Sequence, residues 1–248
     1  MRKLFLSFLL LSGLFKAHAQ GNIIKANLSS LAFKTVYLSY ERTFLKRFSI
    51  NLGFDFMPNR GIPFANQLGD LNGYANPAEG MKLNGWQITP EFRVYTSIVK
   101  GSPRGFYIAP YLRYTTYSLD YKGYEYHYND TYDNDQPKVA HVDLTGTFSA
   151  IGGGIMIGHQ WIVGKHVAID FWIAGLGLNS SQFQLRATSN DLDKRYFTDN
   201  SSLTIDIESN LKLFNKTSFT MGNNYAQANS NGLLVGIRGL GFNIGFAF

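Results

Sequence analysis

Apolar side chains recur at every second residue along several segments of this chain. The clearest segment is 49–56, in which Ile50, Leu52, Phe54 and Phe56 alternate with small or polar residues. A period of two is that of a β-strand with two unlike faces. No apolar run after residue 15 approaches the roughly 20 residues that a membrane-spanning helix needs. Any crossing of a membrane must therefore use strands, with apolar residues facing lipid and polar residues facing a lumen.

The alternation predicts an all-β chain with eight main strands. The 25 Gly, 20 Phe and 15 Tyr, with only 7 Pro, favour the same class. Pro90 predicts a bulge or a weakened ladder in the fourth strand. The run Gly152-Gly153-Gly154 predicts a bulge that shifts the phase of the sixth. The predicted strands are 22–30, 35–44, 49–56, 86–95, 105–118, 141–159, 165–176 and 233–248.

The lengths of the connections support this count. Short turns are expected near 45–47, 99–103 and 161–164, and they alternate with long connections at 57–85, 119–140 and 177–232. Outer-membrane barrels have short periplasmic turns and longer extracellular loops. The sequence therefore predicts an eight-stranded antiparallel up-and-down transmembrane β-barrel with long extracellular loops. A further hairpin within 202–219 would raise the number of strands to ten.

The N-terminal residues predict export. A basic start, an apolar stretch from Leu4 to Phe15 and the motif Ala17-His18-Ala19 indicate a signal peptide over residues 1–19, cleaved between Ala19 and Gln20. Removal of this peptide halves the formal net charge of +6. Because the positive charge comes partly from the export signal, nucleic acid is not an expected partner. The absence of cysteine excludes disulfides and a lipid-modified cysteine. We expect no cofactor, and we expect the mature protein in the cell outer membrane.

The last segment carries the most specific signal. Phe242, Ile244, Phe246 and the terminal Phe248 form one apolar face at period two. Behind a signal peptide, this pattern predicts the assembly signal that the barrel-assembly machinery recognises. The alternative is a soluble periplasmic β-sandwich whose last strand is buried.

Three stretches resemble a known family of uncharacterised small outer-membrane barrels of bacteria, grouped as a domain of unknown function. They are Tyr37-Leu-Ser-Tyr-Glu-Arg-Thr-Phe44, Trp86-Gln-Ile-Thr-Pro-Glu-Phe-Arg-Val-Tyr95 and Gly105-Phe-Tyr-Ile-Ala-Pro-Tyr-Leu-Arg-Tyr114, with the Gly-rich aromatic C-terminal strand. The resemblance covers most of the mature chain apart from 57–85 and 177–232. It implies a barrel in the outer membrane and no catalytic residues.

Charged residues occupy the predicted inward face of several strands. An eight-stranded barrel is just wide enough to be filled by side chains, so charges of opposite sign are expected to pair across the lumen. The mixed signs favour a salt-bridged plug, because an unpaired buried charge is costly. The alternative is a narrow gated ion path. The predicted lumen network is Lys25, Glu41, Asp55, Glu91, Arg93, Arg113 and Asp170.

Residues 120–138 interleave tyrosines with carboxylates. Carboxylate oxygens suit Ca²⁺ or Mg²⁺, and tyrosine rings offer stacking faces to sugars, although the spacing is not that of an EF-hand. A ligand, ion or lipopolysaccharide contact and a simple solvated acidic loop are both open. The candidate residues are Asp120, Tyr124, Glu125, Tyr126, Tyr128, Asp130, Asp133 and Asp135.

Enzymatic chemistry has weaker support. His141, Asp143 and Ser149 share a predicted strand face, but eight residues of strand span about 26 Å, so they form no triad. His159 and His166 are expected to face each other across a hairpin, with too few ligands for zinc. We predict a structural role or binding through the outer loops, in contact with outer-membrane lipid and lipopolysaccharide and with an extracellular partner of unknown kind. A lipid-modifying enzyme, an acyl hydrolase or transferase, is the first alternative, and a narrow gated channel is the second.

Overall fold

The computed structural model describes residues 21–63, 80–96, 103–130, 133–192, 196 and 216–248. The predicted signal peptide and its cleavage site lie outside these residues. In the described part, no helix is long and apolar enough to cross a membrane. The strands are β1 (Asn22–Asn27), β2 (Val36–Leu45), β3 (Phe48–Gly61), β4 (Lys82–Tyr95), β5 (Gly105–Asp130), β6 (Gln136–Val163), β7 (Val167–Thr188), β8 (Lys216–Met221), β9 (Tyr225–Arg238) and β10 (Gly241–Ala247). A short 3-10 helix, Ser29–Phe33, joins β1 to β2.

Eight strands close into a ring. Strands β1 to β7 pair in chain order, and β10 pairs with both β1 and β7. The two closing ladders run from Ile23 opposite Ala247 and from Gly241 opposite Trp172, and all pairs are antiparallel. The prediction of an all-β fold with eight antiparallel strands in a barrel-like ring is confirmed.

The sheet continues beyond the ring on one side. β9 precedes β10 along the same edge of β7, and β8 pairs with β9 outside the ring. We call this part the extension. It comprises β8 and residues 116–130, 136–149, 181–188 and 225–231 of β5, β6, β7 and β9.

Strands of the extension occupy most of the segments that were predicted to be loops. Residues 119–140 were expected to be a loop, yet β5 and β6 run through most of them and leave only 131–135 as the connection. Residues 177–188 and 225–232 are likewise strand, and β3 and β4 shorten the connection predicted at 57–85. Period two remains in these segments, but their apolar residues change face, so no continuous apolar face marks them as strands. Most of the further hairpin predicted within 202–219 lies outside the described residues. β8 pairs with β9, and the ring has eight strands.

The glycine run in β6 forms no bulge. Register with β5 is unbroken from Arg113 opposite Gly152 to Tyr111 opposite Gly154, so the predicted phase shift is wrong. A Cβ on Gly154 would lie 2.1 Å from the carbonyl oxygen of Leu176. These glycines therefore permit close packing of β6 on β7. The irregularities lie elsewhere, between Tyr121 and Tyr124 and between Ile157 and Gly158.

Pro90 leaves the register of β4 unchanged. It pairs with Leu52 of β3, and the ladder to β5 has no pair at Pro90 itself but resumes at Glu91 opposite Tyr111 in the same register. The strand thus has a weakened ladder without a bulge, as expected for a residue that lacks a backbone N–H.

The outer face changes polarity along a single row of paired residues. Below the boundary, Leu112, Leu178 and Val235 point outward and are 62–72% exposed. Four residues further along the same strands, the outward row is Thr116, Ser149, Gln182 and Asn231. The inner face changes in the opposite sense. In the ring it carries most of the buried polar and charged side chains, beside a cluster of tyrosines with Met156 and Trp172. In the extension it holds the buried cluster Ala140, Val142, Ala187, Leu192, Tyr196 and Ala226.

Candidate functional site

A network of buried charges crosses the lumen of the ring. Lys25 on β1 donates to Glu41 Oε2 at 2.6 Å and to Asp170 Oδ2 at 2.9 Å. It also donates to Gln160 Oε1 at 3.0 Å. These contacts join β1 to β2, β6 and β7. Alternation along each strand explains them, because it turns every second residue into the same narrow space.

Arg93 on β4 connects the rest of the network. Its Nη2 donates to Glu91 Oε2 at 2.7 Å and its Nη1 to Asp170 Oδ2 at 2.9 Å, and Nη1 lies 3.4 Å from Glu41 Oε2. Arg238, at the end of β9, donates to the second oxygen of Glu91 at 2.7 Å. We call Lys25, Glu41, Glu91, Arg93, Asp170 and Arg238 the plug.

The plug is electrically balanced and its carboxylates are fully bonded. It contains three cations and three carboxylates, and all of their side chains are at most 7% exposed. Tyr95 donates to Glu41 Oε1 at 2.7 Å and Tyr107 to Asp170 Oδ1 at 2.8 Å. Every oxygen of the three carboxylates accepts at least one hydrogen bond. Burial without such partners would cost several kcal/mol per ion.

The structure brings together five of the seven predicted lumen residues. Lys25, Glu41, Glu91, Arg93 and Asp170 meet in the plug. Asp55 and Arg113 do not join it, because they lie nearer the extension.

Arg238 was absent from the predicted network. If one unbroken strand ran through Phe242, alternation would place Arg238 on the outer apolar face. The break at Gly239 and Leu240, opposite Ile173 and Ala174, reverses the phase and turns Arg238 inward. A lone arginine on an apolar face was the available signal for this break.

A cavity of about 770 Å³ lies between the plug and the extension. Arg238 contributes to its lining on the plug side, and its guanidinium carbon is 4.2 Å from the centre of the Trp172 ring. Asp55 and Arg113 line the same space with Tyr37. The cavity walls are mainly apolar and include Phe33, Met57, Leu83, Trp172, Ile237 and Leu240.

The acidic segment predicted as a ligand or ion loop is a strand hairpin that carries its own cation. Lys138 Nζ lies 2.8 Å from Asp130 Oδ2 and 2.8 Å from Asp133 Oδ2, and these hydrogen bonds raise the pKa of Lys138. Tyr196 donates to Asp130 Oδ1 at 2.6 Å. In the described part of the chain, no group of three or more His, Asp or Glu residues is placed to hold a metal ion.

The remaining candidates of that segment are spread along the hairpin. Tyr124, Tyr126 and Tyr128 are partly buried against the inner cluster of the extension. Glu125 lies 4.0 Å from His127, both largely exposed. Asp120 pairs with Lys82 in the ladder, and Asp135 sits in the turn with a φ of 55°. The tyrosines therefore serve packing, while the carboxylates stay at the edges.

The histidines form no catalytic arrangement in the described residues. His141 Nδ1 lies 2.9 Å from Asp191 Oδ2, but the nearby Ser189 Oγ donates to the backbone oxygen of His141 and accepts from the N–H of Asp191. Ser189 thus holds a turn. Hydrogen bonds from His141 lower the pKa of Asp191.

The predicted pairing of His159 with His166 is wrong. His159 lies opposite Phe171 and packs on Trp161, with 4.0 Å between ring centres. His166 stacks on Phe246 at 5.2 Å. The β6–β7 turn is tighter than expected, with Val163 opposite Val167, so the two histidines fall out of register.

The C-terminal strand has the predicted alternation. Phe242, Ile244, Phe246 and Phe248 point outward and are 38–55% exposed. The backbone N–H of Phe248 donates to Asn22 at 2.9 Å and its oxygen accepts from Asn22 at 3.2 Å. The last residue therefore completes the ladder that closes the ring.

A closed antiparallel ring with a polar interior defines a small barrel-like all-β protein. Over residues 5–196 the chain matches the family described as "Protein of unknown function (DUF3575)", and it belongs to that family. The match ends before β8, β9 and β10. No curated protein and no solved structure matches the chain.

Proposed function

We propose that this protein is an outer-membrane β-barrel that does not conduct, and that it binds its ligands on the side of the ring away from the short turns. Residues 1–19 would direct its export, and the C-terminal strand would direct its assembly. The plug is the single observation that carries the proposal.

The exposed apolar belt supports insertion in a membrane. Large apolar residues such as Ile155, Leu176 and Ile237 are 59–74% exposed on the outer face of the ring. Soluble monomers rarely expose contiguous apolar patches beyond a few hundred Å². Transmembrane barrels have such a band with aromatic girdles at both interfaces. Phe44, Phe48 and Phe92 cluster at the turn end, and Trp86 and Tyr114 pack together near the polarity boundary.

The plug supports a closed lumen. Its side chains come from β1, β2, β4, β7 and β9 and contact one another directly across the ring. An ion path would have to separate pairs that are fully buried and fully bonded, which leaves charges uncompensated. A structural closure is therefore favoured over a gated channel.

The cavity and the extension support a binding role. The plug closes one side of the cavity, and the extension rises beyond the other. Small-molecule sites are typically concave, mainly apolar and supplied with a few polar groups.

Planar-bilayer recording of the purified, refolded protein tests the proposal. A shift in electrophoretic mobility on boiling first establishes that the ring is folded. We expect wild type to give no steady current. Steady conductance by the folded wild-type protein would overturn the closed lumen, and identical mobility before and after boiling would overturn the membrane barrel.

A further inference from the structure

The cavity beside the plug contains the two inward-facing charges that the plug leaves out. Asp55 and Arg113 both line it, and neither forms an ion pair with any described residue. Arg113 Nε has no hydrogen-bond partner, and the recorded contact of its guanidinium is the Tyr111 ring, 5.2 Å away. Asp55 Oδ1 also lacks a partner. This arrangement contrasts with the plug, in which every charge is matched.

A third lining residue has an unsatisfied polar group. Tyr37 is 5% exposed and packs edge-on against Trp172, and its hydroxyl has no hydrogen-bond partner. Buried polar atoms are normally bonded, so three exceptions around one cavity indicate a missing partner.

The charges of this cavity define the chemistry of that partner. Arg238 is already neutralised by Glu91, which leaves Arg113 as the cation and Asp55 as the anion available to a ligand. A guanidinium binds carboxylate or phosphate through paired hydrogen bonds, and a carboxylate accepts from an ammonium group. The apolar wall formed by Trp172, Met57 and Leu83 requires an apolar portion on the same molecule.

We propose that the cavity binds a small zwitterionic amphiphile, with its anionic group at Arg113, its ammonium group at Asp55 and its apolar part against Trp172. The volume of about 770 Å³ falls within the range of roughly 300–1,000 Å³ typical of small-molecule sites. Two sources supply this chemistry: a single-chain phospholipid with an ethanolamine head, from the membrane, and a short apolar peptide, from the aqueous side. The inference rests on the proposed function, because the cavity has a closed end only if the lumen is plugged.

Binding is tested on the folded protein in a non-ionic maltoside detergent, by native mass spectrometry and by tryptophan fluorescence. The probes are lysophosphatidylethanolamine, the dipeptide leucyl-phenylalanine, dodecanoate with only the anionic group, and dodecylamine with only the cationic group. We expect saturable binding of at least one zwitterion, about tenfold or more tighter than either singly charged amphiphile, since a hydrogen bond to a charged group contributes about 1.5–3 kcal/mol. The zwitterion that binds identifies the source.

Substitutions locate the site. Arg113→Gln and Asp55→Asn should each weaken the zwitterion about tenfold or more. Arg186→Gln is the matched control, because Arg186 lies in the extension, 4.0 Å from the Tyr225 ring, and should leave affinity unchanged.

Three results would overturn the inference: no saturable binding of either zwitterion, affinity unaffected by Arg113→Gln, or an equal loss with Arg186→Gln. Each variant is checked for the mobility shift on boiling and for zero conductance. A folded, non-conducting protein that binds no zwitterion refutes the ligand and leaves the plugged barrel standing, whereas a conducting one refutes the proposed function.

Discussion

The ring and the extension are built from the same strands with opposite faces buried. β5, β6 and β7 pass through both regions with continuous pairing. In the ring their inner face carries Asp170 and Arg113 beside a buried cluster that includes Tyr107, Tyr111, Met156 and Trp172, and their outer face is apolar. In the extension the inner cluster is apolar and the outer row is polar. Because pleating allows either face to be apolar, the surroundings decide the choice. If the ring lies in a membrane, as we propose, this reversal is the one expected for lipid around the ring and water around the extension.

The two regions also differ in how they hold charge. The ion pair of Lys25 with Glu41 is 0% exposed, whereas Lys138 and Asp133 are 40% and 57% exposed. Exposed pairs contribute about 0–1 kcal/mol, while breaking a buried pair costs several times more. Charge should therefore govern the stability of the ring and matter little in the extension.

Removing a plug charge should have the largest effect. Arg93→Met leaves two cations for three buried carboxylates, so one negative charge is uncompensated at a cost of roughly 3–5 kcal/mol in the limit of full burial. The urea midpoint of the refolded barrel measures it. Arg186→Met, the control in the extension, removes an exposed cation–π contact of about 0.5–1 kcal/mol. Equal midpoints for the two variants would remove the distinction between the regions.

A charge introduced on the outer face should lower the free energy of unfolding only in the ring. Ile155→Lys places a cation on the apolar belt and should cost about 2–4 kcal/mol in phospholipid bilayers if it lies near the midplane. Thr145→Lys, on the same strand and face but in the extension, should stay within about 0.5 kcal/mol. Both are measured by unfolding from bilayers. A cost at residue 145 as large as that at 155 would place lipid around both regions.

Within the ring, the start of β10 should be sensitive to one methyl group. A Cβ on Gly241 would lie 1.8 Å from the Trp172 ring, so Gly241→Ala must displace that ring at a cost of about 1–3 kcal/mol. Gly239→Ala is the control, because its Cβ would meet no atom within 4 Å. Unfolding midpoints and tryptophan fluorescence report the difference. Equal behaviour of the two variants would show that Trp172 is not packed on Gly241.

The smallest effect should be a local pH dependence in the extension. Hydrogen bonds from His141 lower the pKa of the Asp191 carboxyl. The protection that this carboxylate gives the His141 amide is therefore present above the ordinary Asp pKa of about 3.8 and is lost as pH falls through the lowered pKa. Hydrogen exchange of the His141 amide, which donates to Asp191, should show higher protection factors at pH 5 than well below the lowered pKa. Asp191→Asn should abolish this dependence. If the native protein shows no change over the interval, the carboxylate does not hold the turn.

The period-two pattern predicted the strands of the ring but missed most of the strands of the extension. In 49–56, 86–95 and 242–248 a single apolar face persists, so the strands and inward residues such as Glu91 follow directly. In β5 beyond Tyr114 and β6 before Ile151 the apolar residues change face, so the sequence pattern predicts a loop over 119–140 where the structure has strands. Arg238 was missed for a related reason, since the break at Gly239 and Leu240 lies opposite Ile173 and Ala174 of β7, and its one local sign is an arginine on an otherwise apolar face.

A spin-label scan along β6 tests the central claim most directly, because the chain has no cysteine and single cysteines can be placed at the outward positions 145, 149, 151, 155 and 161. The measurement compares collisional accessibility to oxygen, which concentrates in lipid, with accessibility to a water-soluble nickel chelate, in the refolded protein in bilayers. We expect labels at 151, 155 and 161 to favour oxygen and labels at 145 and 149 to favour nickel, with the crossover between 149 and 151. Uniform preference for nickel along the strand, or a crossover in the opposite sense, would contradict a ring embedded in lipid below an extension in water.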